Sequence, residues 1–244
     1  MKKPFTYDRN RTAPEVRAAL ELIAADFPIR GGSAKQADVA FALDPSAQGP
    51  TLARSGRTTA ITGATIPHLL RGLATLRGFA ATATVPKAHA ETAAFTTLGL
   101  MQDMSRNAVM RPATVELMLR RIALMGMNQF MLYTEDTYDI PTRPYFGYMR
   151  GRYTHAELRR IDDYAHRLGI EVVPCIQTLG HLWQALKHMP FADLRSNGDI
   201  LLVGEPKVYA LIEEMFAATT ACFRTKRIHI GMDEAHDVQG GRYE

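Results

Sequence analysis

Two rhythms of apolar residues run along this chain. Spacing by three and four residues marks helices, and shorter alternating or continuous runs mark strands. From Pro14, the residues Val16, Leu20, Ile23, Ala24 and Phe27 fall on one helical face. A second helix opens near Thr65, with Ile66, Leu69, Leu70, Leu73 and Leu76 at helical spacing. Between them, residues 37–43 alternate as a half-buried strand does, and residues 57–62 read as another that stops at Gly63. Strands and helices mixed over so short a stretch predict a small α+β domain at 1–94. The Ala/Thr-rich stretch 79–97 fits a strand or a linker equally well.

From Leu98 the rhythm becomes strand, helix, strand, helix. Residues 98–104 form a short apolar run. A helix follows Pro112, with Val115, Met118, Leu119, Ile122 and Met125 on one face and Glu116, Arg120 and Arg121 on the other. Residues 128–133 read as the second strand. Thr154 and Glu157 make a capping box for a helix whose inner face is Leu158, Ile161, Ala165 and Leu168, closed by Gly169. Residues 170–176 are the third strand. A helix from Pro206 leads to an alternating run at 227–232, expected as a fourth, buried strand. Four strands joined through helices predict a parallel α/β sheet over 95–244.

Composition adds only limits. The chain has 244 residues, 46% hydrophobic and 22% charged, with a net charge of +4, as an ordinary globular protein has. Its basic pairs, Arg120-Arg121 and Arg159-Arg160, sit within amphipathic helices and read as solvated faces, so no nucleic-acid partner is expected. Cys175 and Cys222 lie in apolar segments and read as buried free thiols of a reducing compartment. The N-terminus carries lysines but no apolar core behind them, and no apolar run approaches the roughly 20 residues of a membrane span. A cytoplasmic protein with no membrane partner is the expectation, and no spacing suggests a metal site.

The chemistry lies after the strands. Asp103, Ser105, Arg106 and Asn107 follow the first, Glu135 and Asp136 the second, Gln177, Thr178, Gly180 and His181 the third, and Asp233 and Glu234 the fourth. Each taken singly reads as a loop salt bridge, a cap or a core histidine. Together they mark the C-terminal strand ends where such sheets hold their active sites. Adjacent residues of a regular strand face opposite ways, so the chain must end or bend its strand at Met232–Asp233 for both carboxylates to serve one site. Two close carboxylates repel, which separates an acid from an ionised partner, the division of labour glycoside cleavage uses. Asp233-Glu234-Ala235-His236 also spells a helicase box. That chemistry needs an upstream phosphate-cradling loop, and Gly31-Gly32-Ser33-Ala34-Lys35 has the wrong spacing for one.

These residues resemble glycoside hydrolase family 20, the β-N-acetylhexosaminidases, in the form of its non-secreted bacterial members. His229-Ile230-Gly231-Met232-Asp233-Glu234 is similar to the family's Asp-Glu motif, and residues 98–106 to its first barrel strand and sugar-binding arginine. Residues 133–138 and 176–182 are similar to its second and third strand ends, and the α+β domain with Leu70-Arg71-Gly72-Leu73 to its N-terminal domain. The resemblance implies a (β/α)8 barrel and a substrate-assisted, retaining hydrolysis of terminal β-linked N-acetylhexosamine in an oligosaccharide or glycoconjugate, without metal or organic cofactor. It implies that Asp233 orients the acetamido group, Glu234 acts as acid and base, and Arg106 binds sugar hydroxyls. It further implies that Asp136 and His181 form a chain to Glu234, and it puts Trp183 at the pocket rim.

Length departs from that pattern. A barrel of the family continues past strand four, so 95–244 is expected to be its first half, as a fragment or as a half barrel that closes by homo-oligomerisation. Weak or absent hydrolysis by the monomer is expected. The alternatives are a non-catalytic carbohydrate-binding or structural fragment, and a barrel hydrolase using Glu135 and Glu234 as nucleophile and acid.

Overall fold

The computed structural model describes residues 3–106, 108–236, 238 and 242. Asn107 lies outside the described residues. The chain packs as two compact units. The first takes in residues up to Leu100 together with Glu116–Gln129 and Tyr164–Ile170; the second holds Met101–Val115, Phe130–Asp163 and the chain from Glu171 onward.

In the first unit, β1 (Phe5–Asp8), β2 (Ile29–Gly32), β3 (Val39–Leu43), β4 (Thr51–Ser55), β5 (Thr58–Gly63) and β6 (Ala88–Ala90) form one sheet in the order β2-β1-β3-β5-β4-β6. Pairing is parallel from β2 through β5, and β4 runs antiparallel to β5 and β6. The helices α1 (Pro14–Ile23) and α2 (Ile66–Ala81) bury the faces that periodicity marks: Val16, Leu20 and Ile23 on one, Leu69, Leu70, Leu73 and Leu76 on the other. The Thr65 side chain accepts a hydrogen bond from the His68 amide at 3.3 Å, which caps α2 where the sequence says it starts. The undecided stretch 79–97 contains β6.

The strand–helix alternation that begins at Leu98 is present. β7 (Gly99–Asp103), β8 (Gln129–Tyr133) and β9 (Glu171–Cys175) form a sheet in that order, with α3 (Pro112–Leu124) and α4 (His155–Arg167) as the connections. Short α5 (Trp183–Leu186) and then α6 (Pro206–Thr220) follow. The Thr154 amide and hydroxyl both bond the Glu157 carboxylate at 2.9 Å, so the capping box forms as read. Both cysteines are buried and free. Among the described residues no helix is long and apolar enough to cross a membrane.

The fourth strand is a correction. Residues 227–232 make only an isolated parallel bridge, Cys175 to His229, held by three backbone hydrogen bonds of 2.9–3.0 Å to β9 and its extension. Its larger apolar side chains are not buried: Ile230 and Met232 are 41% and 56% exposed. Alternation read the extended backbone correctly, but burial needs a neighbour on each face, and here the segment is bonded along one edge.

Candidate active site

Strand ends from the second unit gather most of the residues singled out above. Ser105 sits at the centre. Its hydroxyl accepts from the Glu135 amide at 2.7 Å and meets the Thr137 hydroxyl at 3.3 Å, which ties the end of β7 to the end of β8. Beside it the Arg106 guanidinium is locked by Asp103, with Nη1 to Oδ2 at 2.8 Å. Its Nη2 lies 3.4 Å from Glu135 Oε1 and 3.5 Å from His181 Nδ1, and its plane covers the Tyr133 ring at 5.3 Å. These acceptors hold the arginine's proton affinity well above its ordinary value.

A second line of bonds joins β8 to β9. Gln177, fully buried, donates from Nε2 to the Tyr133 hydroxyl and to Asp233 Oδ1, both at 3.0 Å. The Tyr133 hydroxyl in turn donates to Glu135 Oε1 at 3.2 Å. Burial pushes the Tyr133 phenol up to about 12 and raises the Glu135 carboxyl above the usual carboxylate range. The hydrogen bond from Gln177 holds Asp233 below that range. Asp233 is therefore biased toward the ionised form.

Asp233 and Glu234 reach one point despite being adjacent. The segment leaves extended geometry, as side-chain alternation requires, because Gly231 and Glu234 both take left-handed φ, +55° and +49°. His181, at φ +55°, is likewise left-handed. Its Nε2 stands 3.6 Å from Asp233 Oδ2 and 3.4 Å from Glu234 Oε2. These are ion-pair distances; the nitrogen has no aligned hydrogen bond. Two non-glycine residues in left-handed backbone at one focus, His181 and Glu234, are the kind of strain that surrounding structure must hold in place. Asp199 supplies part of that hold by accepting from the backbone amides of His181 at 3.3 Å and Trp183 at 2.9 Å.

Asp136 is not where the sequence reading puts it. Its carboxyl is completely buried and pairs with Arg150 Nε at 3.1 Å, away from His181, whose Nδ1 faces Arg106 instead. Arg150 also donates to the Ser105 carbonyl, so it clamps the base of the β7 turn. After β8 the adjacent side chains part: Glu135 lines the cavity and meets Arg106, while Asp136 pairs with Arg150. A cavity of about 230 Å³ is lined by Ser105, Arg106, Glu135, Arg150, His181, Trp183, Gln184 and Asp199. Trp183 is 55% exposed at this rim. Sequence reasoning missed Arg150 and Asp199 and gave Tyr133 and Gln177 no role. Only Gln177 carried a signal, as a polar residue directly after an apolar strand.

One donor atom each from His181, Asp233 and Glu234 lies within 4.8 Å of the others, so these three would be the ligands of a cation. Two of the three are exposed carboxylates, and three donors fall short of a closed structural site.

The catalytic-domain model of glycosyl hydrolase family 20 matches residues 95–241. Human hexosaminidase D is 30% identical over 129 residues, which cover 48% of this chain and 25% of that protein. A β-hexosaminidase of Vibrio furnissii is 30% identical over 115 residues, 42% of this chain and 18% of that protein. Among solved structures, the Streptomyces plicatus N-acetyl-β-hexosaminidase in complex with Thio-NAglucal superposes with a TM-score of 0.77 at 21% identity. The family 20 enzyme of Streptomyces coelicolor does so at 0.76 and 22%. Each alignment covers 97% of this chain and 56% of the other, so the fold is shared throughout while the chain spans little more than half their length.

Proposed function

The chain belongs to glycosyl hydrolase family 20, and from that premise we propose that it carries the acid–base half of a site removing terminal β-linked N-acetylhexosamine from an oligosaccharide or glycoconjugate. The reaction is substrate-assisted and retaining. The substrate's acetamido oxygen attacks the anomeric carbon as the bond to the leaving oxygen breaks. Glu234 gives that oxygen its proton. Asp233, ionised, accepts the acetamido N–H and offsets the positive charge of the oxazolinium ion. Glu234 then takes a proton from water as it adds at the anomeric carbon and the acetamide re-forms. Arg106, its guanidinium already aimed by Asp103, donates to sugar hydroxyls, and Trp183 flanks the pocket. His181 sets the position of both carboxylates. Residues 95–244 are the catalytic part on this reading, with 1–94 an α+β domain.

The observation that carries the proposal is the convergence of Asp233 and Glu234 on His181 beside the Arg106 cavity, with Asp233 held ionised by Gln177. A Streptomyces plicatus relative of TM-score 0.80 and 20% identity was solved with N-acetylglucosamine as product, which supports the same sugar class here. One feature favours a sugar-binding fragment instead: the Asp233 and Glu234 side chains are 61% and 64% exposed, too open to exclude water. Release of 4-nitrophenol from its N-acetyl-β-glucosaminide decides between them. Turnover that falls at least about a thousandfold in Glu234→Gln supports the hydrolase. A thiazoline mimic of the oxazolinium ion that binds without any turnover supports the fragment reading, and binding of neither sinks both.

A further inference from the structure

A cavity of about 430 Å³ lies wholly within the first unit, lined by β1, β4, β5 and the second half of α2. Phe5, Leu76, Ala80 and Val85 make part of its lining apolar. Four cations, Lys3, Arg54, Arg57 and Arg77, share that lining with one carboxylate, Asp38.

The carboxylate is already committed. Its Oδ2 accepts from the Thr6 amide at 3.1 Å and its Oδ1 from Arg57 Nη2 at 3.3 Å. The same Arg57 nitrogen donates to the Gln36 carbonyl at 2.8 Å. Arg77 Nη1 donates to the Lys3 carbonyl at 3.0 Å, and its guanidinium covers the Phe5 ring at 5.4 Å. A carbonyl or a ring fixes a guanidinium without cancelling its charge. Lys3, Arg54 and Arg77 have no carboxylate partner among the described residues. Like charges around one hollow repel, and an anion bound there would offset the repulsion.

Thr59 is an independent sign of a ligand. It is 5% exposed and lines the cavity, and its hydroxyl has no hydrogen-bond partner among the described residues. A buried hydroxyl without a partner costs free energy that an oxygen-bearing ligand would recover. We infer that this cavity binds a small organic phosphate. Arg54, Arg77, Lys3 and the Thr59 hydroxyl meet the phosphate group, and Phe5, Leu76 and Val85 cover the carbon body. A phosphomonoester carries about two negative charges near pH 7 and three acceptor oxygens, which suits several cations and a hydroxyl better than one carboxylate does. Guanidinium forks also match phosphate oxygens in pairs. The volume falls in the range of roughly 300–1,000 Å³ that small-molecule sites occupy. No residue of the Asp233–Glu234 site takes part, so the inference stands whether or not the hydrolase reading does.

The test titrates the isotope-labelled 244-residue chain with phenyl phosphate, inorganic phosphate and benzoate at fixed ionic strength, following the amide resonances of residues 54–59. The unaltered protein is compared with Arg54→Gln and Thr59→Val, and circular dichroism melts confirm that all three fold. Expected is saturable movement of those amides by phenyl phosphate, with inorganic phosphate and benzoate each binding about tenfold more weakly. Phenyl phosphate affinity should fall about tenfold in Arg54→Gln, which loses a charged donor, and about fivefold in Thr59→Val, which loses a neutral one. No saturable movement by phenyl phosphate up to about 10 mM overturns the site. Equal phenyl phosphate affinity in the unaltered protein and Arg54→Gln does the same. Benzoate or inorganic phosphate binding as tightly as phenyl phosphate overturns the assignment to an organic phosphate. Should Arg54→Gln fail to fold, Lys3→Gln removes a cation from the same lining and is held to the same comparison.

Discussion

Gly231 and Gly56 have nearly the same backbone conformation, φ +55° and +56°, and entirely different surroundings. A Cβ at Gly56, in the turn between β4 and β5, meets nothing within 4 Å. One at Gly231 would lie 2.2 Å from the Ile176 carbonyl oxygen and 2.5 Å from Gln177 Oε1. Substituting alanine at each therefore separates the cost of left-handed φ from the cost of collision. The φ cost is common to both, about 1 kcal/mol. At Gly231 the obstructing atom is backbone, so the segment must move off β9. It then loses the bonds from Ile176 N–H to His229 O, His229 N–H to Pro174 O and Thr178 N–H to Gly231 O. At about 1 kcal/mol each that adds roughly 3 kcal/mol, or about a hundredfold in the equilibrium for opening. Amide hydrogen exchange at Ile176 and Thr178 reads it directly. Expected is about a hundredfold loss of protection at these two amides in Gly231→Ala, with none in Gly56→Ala, whose effect is confined to a melting temperature lower by about 2–4 °C. Because Asp233 and Glu234 follow within three residues, thiazoline affinity should fall with the protection. Equal protection at Ile176 and Thr178 in the two variants would refute the account of how the segment is held.

Two further outcomes follow from burial and charge. Asp136→Ala leaves Arg150, only 19% exposed, without its carboxylate, and should cost about 3 kcal/mol in urea unfolding. Asp136→Asn keeps an oxygen acceptor for Arg150 Nε but not the charge, and should cost about 1–2 kcal/mol; no loss in either variant would count against the buried pair. Asp233 is held below its ordinary 3.8, so the stability it lends is present above about pH 4 and lost as pH falls through the lower folded value. Gln177→Leu removes the largest cause, and carbon-detected titration of the Asp233 carboxyl should show it rising toward 3.8. An unmoved Asp233 titration would mean that Gln177 does not set its charge.

Helices were readable because a period combined with a start signal: Thr65 before α2, and Thr154 with Glu157 before α4. Strands were readable only where apolar side chains were long enough to show a pattern. β1 carries Thr6 and Asp8 buried among its four residues, and β2 ends in Gly31-Gly32, so neither has an apolar signature. β4 buries only Leu52 of its five residues, and β6 is three residues of Ala-His-Ala. In these cases pairing partners far along the chain, rather than local preference, decide the strand. Residues 227–232 erred the other way, having the pattern without enough neighbours to bury it.

The site shows the same division more sharply. Which residues sit at strand ends is a matter of sequence order, and Arg106, His181, Asp233 and Glu234 come together as order suggests. Which way each side chain turns depends on backbone angles after the strand, and there Asp136 turns to Arg150 rather than to His181. The consequence is a site of two rigidities. Ser105, Glu135, Tyr133 and Gln177 form a buried, hydrogen-bonded lattice across three strand ends, and Arg106 is fixed against it. Asp233 and Glu234 depend on three backbone bonds, one contact from Gln177 and the approach of His181. On the function proposed above, recognition of sugar hydroxyls would rest on the stiff part and proton transfer on the loose part. A change that loosens residues 227–236 should lower turnover by more than it weakens sugar binding, because a general acid misplaced by about 1 Å loses far more than a hydrogen bond of the same misalignment.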